Sequence, residues 1–180
     1  MTAAPSPLAL PGTAACLALA MILAQAGWHA LRDQPAHAAT IAAYRLLPGW
    51  AVAAAAWALP CLNLIAAALL LVPGLSPAGA ALAALLLGLF TAAIAVNLWR
   101  GRVTIDCGCG GARGQTLSPA LLVRNSMLLV LCPLAGFAAA PLPPAPFALA
   151  GLAGAACASL YFAASQLLAN HTLHSTGRLA

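Results

Sequence analysis

Apolar residues along this chain fall into long blocks. Five runs approach or exceed the roughly 20 residues a helix needs to cross a bilayer, covering about 8–31, 48–72, 77–99, 117–139 and 147–169. Each is expected to be helical, because lipid offers no partner to an exposed backbone N–H or C=O. The second and third runs are joined by "VPGLSPAG", a turn short enough to impose an antiparallel hairpin. The fourth and fifth are joined by "PLPPAP", a stiff proline connector. Residues 32–47, "RDQPAHAATIAAYRLL", are less apolar and suit a short helix lying at the interface. The expected fold class is all-α: one membrane domain over residues 1–180, a polytopic bundle of five transmembrane helices with a polar loop at 100–116.

Composition makes the membrane reading firm. The chain is 64% hydrophobic and 5% charged, against about 25% charged in soluble domains, so it cannot coat a water-facing surface. The first run has no positive segment before it and no clear small-residue cleavage site, so it is expected to stay as a membrane helix. The cations are seven arginines, with Asp33 and Asp106 as the two acids. No basic face and no interleaving of aromatic and basic residues accompanies them, which argues against nucleic acid as a partner. Five crossings put all seven arginines (32, 45, 100, 102, 113, 124 and 178) on one side and none on the other. The positive-inside rule then predicts an outside N-terminus, an inside C-terminus and a cytoplasmic 100–116 loop in a bacterial inner membrane.

That loop holds the densest polar chemistry of the chain, "IDCGCGGARG". Cys16, Cys61, Cys132 and Cys157 lie in apolar runs, whereas Cys107 and Cys109 stand two apart among glycines. Dithiol–disulfide exchange is one chemistry they support. The thiolate is the nucleophile; Arg100, Arg102 and Arg113 would favour it and Asp106 would oppose them. A disulfide across one residue is strained, because bridged cysteines prefer Cα atoms about 5.5–6 Å apart, and a strained bond is easier to reduce. Gly108 takes the dihedrals of so tight a loop at least cost. Soft-metal binding is the other chemistry, since two thiolates suffice for Cu(I). Zinc usually wants four ligands, which the nearby loop residues do not complete. The bland alternative is two small side chains in a turn.

The surrounding run, "NLWRGRVTIDCGCGGARGQTLSPALLVRN", resembles the MauE family, methylamine-utilisation membrane proteins grouped with DoxX-like redox-associated proteins. The matching positions are Asn97, Arg100, Asp106, Cys107, Gly108, Cys109, Leu117, Ser118, Arg124 and Asn125, with "WHALRD" and "AAYRLLP" earlier in the chain. The chain departs from the pattern at Gly110, where Phe is common, at Ala30, where Lys is common, and at Asn63, where an acid is usual. The resemblance implies membrane thiol redox chemistry supporting maturation of an exported, disulfide-containing client such as a methylamine dehydrogenase subunit. It also implies a membrane-anchored thioredoxin-like partner. Cys107 and Cys109 would carry the exchange, Asp106 and Arg124 would tune it, and Gly108, Asn97, Arg100 and Asn125 would support the loop. No cofactor beyond the dithiol is required; a quinone or Cu(I) is compatible, but no motif indicates either. The rival readings are a Cu(I)-binding membrane protein and a non-catalytic assembly partner of a thioredoxin-like protein. An exported client with a cytoplasmic loop requires electrons to cross the bilayer, or the opposite orientation.

The remaining polar residues are weaker signals. Arg124 lies within the fourth run, where a charge is expensive and functional by default; the alternative is snorkelling to the interface. Asn63 is expected to be packing glue between helices, and His29, beside Trp28, part of an interface belt. His171 and His174 in the tail are weak metal candidates. Cys132, about 15 residues or roughly 22 Å along its helix, and Cys16 fall in the half of the bilayer away from the loop. They suit small apolar packing, or a second pair relaying electrons from Cys107 and Cys109.

Overall fold

A computed structural model of the protein describes residues 7–103, 105, 117–138 and 142–175. Among the described residues six helices follow one another: α1 (Ala9–Arg32), α2 (Gln34–Tyr44), α3 (Gly49–Leu71), α4 (Ser76–Trp99), α5 (Pro119–Gly136) and α6 (Pro144–Ser175). All but α2 contain a stretch long and apolar enough to cross a membrane, so the fold is a polytopic helical bundle. Helix α6 extends past its apolar run, its membrane-compatible part being Pro144–Asn170.

Proline marks several helix starts. Pro35, Pro77 and Pro119 lie in first turns, where a missing N–H leaves no helical bond broken. Asp33 caps α2 by accepting from the Ala36 N–H at 3.4 Å. The chain leaves α2 through Arg45 in the left-handed region, φ 49°. Inside α3, Pro60 lacks the N–H that would bond the Ala56 carbonyl. The Gln34 side chain takes its place, its Nε2 donating to Ala56 O at 2.9 Å. The break in α3 is thus the point where α2 is fastened to it.

Helix α1 sits among α3, α5 and α6, and its approach is closest at glycine. A Cβ on Gly27 would lie 2.8 Å from the Pro60 carbonyl oxygen of α3. One on Gly154 of α6 would lie 2.8 Å from the Ala14 carbonyl oxygen of α1. Real Cβ atoms are not found that close to a backbone oxygen, so the small residues here set the interhelical spacing. The main core gathers Leu19, Ala66, Ala83, Leu128 and Ala135 from α1, α3, α4 and α5.

Alternation of direction collects one end of every helix into what we call the loop end: the C-termini of α1, α4 and α6, the N-termini of α3 and α5, and α2. Arg32, Arg45, Arg100 and Arg102 all lie there. So do Trp28, Trp50 and Trp99, which are exposed as in an aromatic belt. Arg32 stacks on Trp28, its Cζ 4.9 Å from the ring centroid. His29 is exposed beside them.

Candidate functional site

Asp106, Cys107, Gly108 and Cys109, together with Arg113, lie outside the described residues. The chain on either side of them is placed. The Leu117 N–H donates to Ile105 O at 3.1 Å, which ties the two ends of the 106–116 segment together. Ile105 and Leu117 are buried with Leu121, Ile94 and Tyr44 in a second apolar cluster at the loop end. Hydrophobic burial therefore fixes where the segment leaves and rejoins the bundle.

Polar contacts fix it as well. Asn97 is fully buried in the last turn of α4. Its Nδ2 donates to Ala93 O at 3.0 Å, which leaves Oδ1 to accept from Arg102 Nη1 at 3.2 Å. The same guanidinium donates to Tyr44 O at 3.2 Å and Ala43 O at 2.9 Å. These are carbonyls at the C-terminal end of α2, where a cation is favoured. The Arg102 N–H closes the turn on Asn97 O at 2.9 Å. From sequence, Arg102 is a cation for the thiols; in the structure its bonds to Asn97, Tyr44 and Ala43 clamp α2 to the base of the loop. Arg100 is exposed at the helix end.

Arg124 does not snorkel. It is buried, and it reaches across to α6. Its Nη1 donates to Ser165 Oγ at 3.1 Å and its Nη2 to Asn125 Oδ1 at 3.5 Å. Its Cζ lies 5.0 Å from the centre of the Tyr161 ring, a cation–π arrangement strengthened by loss of water. Ser165 Oγ in turn donates to Tyr161 O at 2.8 Å.

Beneath the loop base lies a cavity of about 400 Å³ bounded by all six helices. Its wall is apolar, with Phe90 and Leu59 among the larger side chains. Tyr44 and Ile94 belong both to this wall and to the cluster holding the loop ends. Asn125 and Tyr161 line it as well, so the Arg124 group borders it. Three further polar side chains, those of His37, Thr40 and Asn63, belong to residues that line it. Asn63 is buried, and its Oδ1 has no hydrogen-bond partner among the described residues. The same holds for His37 Nε2 on α2. Leaving such a buried group unsatisfied costs about 1–3 kcal/mol, so neither is there for stability. Burial holds the His37 imidazole below its usual pKa, which keeps the ring neutral.

Asn63 lines the cavity, and among the described residues its buried Oδ1 makes no interhelical hydrogen bond of the kind expected from packing glue. His37 is not singled out by the sequence at all. The signal that could have found it is positional: an 11-residue helix capped at Asp33 and fastened at Gln34 must turn one side down onto the bundle.

Cys16 and Cys132 occupy the opposite half, in the main core. Cys16 Sγ bonds Ala135 O across from α1 to α5 at 3.3 Å, and Cys132 Sγ bonds Leu128 O at 3.4 Å. Both are free thiols, as are the exposed Cys61 and Cys157.

The chain matches the family described as methylamine utilisation protein MauE over residues 8–141. It is 44% identical over 153 residues to the methylamine utilization protein MauE of Paracoccus versutus, covering 83% of this chain and 82% of that one. It is 42% identical over 164 residues to that of Methylophilus methylotrophus, covering 86% and 83%. The corresponding protein of Methylorubrum extorquens is 41% identical over 157 residues, covering 83% and 82%. No solved structure matches. A bundle of five membrane-compatible helices, a Cys-Gly-Cys segment between α4 and α5, and identity sustained over most of each relative together place this chain in the MauE family of methylamine utilisation proteins.

Proposed function

We propose that this protein carries out thiol–disulfide exchange at the membrane, supporting maturation of an exported, disulfide-containing protein of methylamine utilisation. Cys107 and Cys109 form the exchanging pair. The observation that carries the reading is the anchoring of both ends of their segment, by the Ile105–Leu117 bond and by Arg102 on Asn97 and α2. A dithiol on a segment whose two ends are anchored at the bundle belongs to the loop end, where a partner protein can reach it. The thiolate of one cysteine attacks a partner disulfide, forming a mixed disulfide and releasing one partner thiolate. The second cysteine then attacks the mixed disulfide. The partner leaves as a dithiol, and Cys107 and Cys109 are left oxidised. Two electrons have moved, and the reverse sequence donates the disulfide.

The natural partner is a membrane-anchored thioredoxin-like protein. The arginines crowd the loop end, which the positive-inside rule makes the cytoplasmic end of an inner-membrane protein. An exported client then requires the two electrons to be carried through the bilayer.

The test is Cys107→Ser/Cys109→Ser in cells growing on methylamine, with membrane levels of the protein matched to wild type. The expected result is loss of the correctly disulfide-bonded amine dehydrogenase subunit. Unchanged maturation would overturn exchange and leave a non-catalytic assembly role.

A further inference from the structure

We infer that the cavity under the loop base binds an anionic phospholipid, with an acyl chain inside the bundle and the phosphate at Arg45 and Arg100. The wall calls for hydrocarbon. Among the described residues no Arg, Asp, Glu or Lys lines it, and its larger side chains are apolar. Thr40, which does line it, spends its hydroxyl on Ala36 O at 3.0 Å. His37 Nε2 and Asn63 Oδ1 are buried behind the wall and present no surface to the cavity. An apolar cavity of about 150 Å³ already stays dry and takes up an apolar guest. This one measures about 400 Å³, and the hydrocarbon available to a membrane protein is the lipid chain.

The mouth has the reach of a lipid leaflet. It is marked by lining residues that are exposed: Leu46 and Leu47 in the linker before α3, Ala58 on α3 and Leu89 on α4. Ala58 is nine residues along α3 from Gly49, about 14 Å at 1.5 Å per residue. Leu89 is ten residues before Trp99, the last residue of α4. The opening therefore runs from the loop-end interface to about the middle of a hydrocarbon core roughly 30 Å thick. Toward the other end α3 and α4 close up, since a Cβ on Gly79 would lie 2.6 Å from Leu70 N. Behind the mouth the cavity reaches Leu23 of α1 and Leu128 of α5. A chain that enters it leaves the surrounding bilayer for the interior of the bundle.

Charge at the mouth selects the headgroup. Among the described residues the loop end holds Arg32, Arg45, Arg100 and Arg102 against Asp33. Asp33 caps α2, Arg32 stacks on Trp28, and Arg102 is spent on Asn97 and the end of α2. Arg45 and Arg100 are exposed and form no side-chain hydrogen bond or ion pair among the described residues. Arg45 directly precedes Leu46 and Leu47 at the mouth. Its φ of 49° is one that glycine holds at lower cost, so the turn itself does not call for arginine. The Arg102 bonds to Tyr44 O and Ala43 O draw the end of α4, which carries Arg100, toward Arg45. Cations at the membrane surface above an apolar slot match a phosphate ester above its hydrocarbon tail. Tyr44 and Ile94 belong both to the wall and to the cluster holding Ile105 and Leu117, so the bound chain also packs the base of the loop. None of this requires Cys107 or Cys109, so lipid binding can fail while thiol exchange survives.

The experiment uses the full-length purified protein, delipidated in mild detergent. It is titrated with dioleoyl phosphatidylglycerol or dioleoyl phosphatidylcholine, and bound lipids are counted by native mass spectrometry. A single saturable phosphatidylglycerol is expected, held about tenfold more tightly than phosphatidylcholine. Arg45→Gln should weaken phosphatidylglycerol about fivefold and leave phosphatidylcholine unchanged. Arg45→Gln/Arg100→Gln should remove the preference. Ala93→Phe, which fills the cavity from α4, should weaken both lipids about tenfold. Ala58→Trp narrows the mouth from an exposed position, and gives the same loss by a second route if Ala93→Phe misfolds. Inorganic phosphate at the same concentration should displace neither lipid. Equal affinity for the two lipids, adducts that never saturate, indifference to both cavity variants, or displacement by phosphate would each overturn the inference.

Discussion

The two halves of the bundle solve different problems. In the half away from the loop, Gly12 and Gly154 let α1 press against α5 and α6, Cys16 and Cys132 bond main-chain carbonyls, and Ser76 Oγ is buried without a partner among the described residues. In the loop-end half, α2 lies across the bundle, Asn97 and Arg102 fix the loop base, and a cavity extends to mid-bundle, lined by His37 and Asn63, whose Nε2 and Oδ1 are buried without partners among the described residues. One half is built for close contact. The other is built around a cavity, and the unpartnered buried atoms of His37 and Asn63 belong to residues that line it.

The sharpest way to break that comparison is to wedge the tight half apart. Gly154→Val puts a branched side chain where a Cβ alone would lie 2.8 Å from the Ala14 carbonyl oxygen. A loss of about 3 kcal/mol is expected, from overpacking against backbone that cannot yield. It is read as a large fall in the thermal midpoint of the detergent-solubilised protein. An unchanged midpoint would mean that α1 and α6 do not pack this closely.

Next in size is Arg102→Ala. It removes the bonds to Asn97, Tyr44 and Ala43 at once, and a loss of about 2 kcal/mol is expected. Exchange should fall about tenfold, measured as the rate at which Cys107 and Cys109 reduce a disulfide peptide. Arg102→Lys should recover little, because a point charge cannot reproduce the fork. Full rescue by lysine would reduce Arg102 to a local positive charge.

Asn63→Leu should move the other way. It replaces an amide whose buried Oδ1 has no partner among the described residues with an apolar side chain of similar size, so the protein gains about 1 kcal/mol. The thermal midpoint should rise by about 2–4 °C. A fall instead would show that Asn63 holds the bundle together, as packing glue would.

The smallest effect on exchange belongs to Cys16→Ala/Cys132→Ala. Their thiols fill space and bond nearby carbonyls, so the peptide-reduction rate should stay within about twofold of wild type while stability drops by about 1 kcal/mol per site. Loss of client maturation in a folded double variant would make the pair an electron relay.

Much of this architecture can be read from the sequence. Five apolar runs become five membrane-compatible helices because lipid leaves the backbone no other way to satisfy its bonds. The polar stretch at 32–47 contains a short helix because Asp33 and Pro35 form a start signal. What the sequence could not reveal is direction. Asn63 is visible as a polar residue in an apolar run, but whether it faces a helix or a cavity depends on the rotation of α3. That rotation is set by the Gly27–Pro60 contact and the Gln34 bond to Ala56. His37 is one polar residue in an alanine-rich helix, and only the folding of α2 over the bundle gives it a cavity to face. Arg102 looks like one of several loop cations until the end of α2 comes within reach of its guanidinium.

The central claim is that Cys107 and Cys109 work as a dithiol, and their redox state in living cells tests it most directly. Cells growing on methylamine are quenched in acid, and free thiols are alkylated with one tag. Disulfides are then reduced and alkylated with a second tag, and the loop peptide is read by mass spectrometry. The account predicts a mixed population that shifts with oxidant and with loss of a thioredoxin-like partner. A pair that stays fully reduced under both challenges would contradict it.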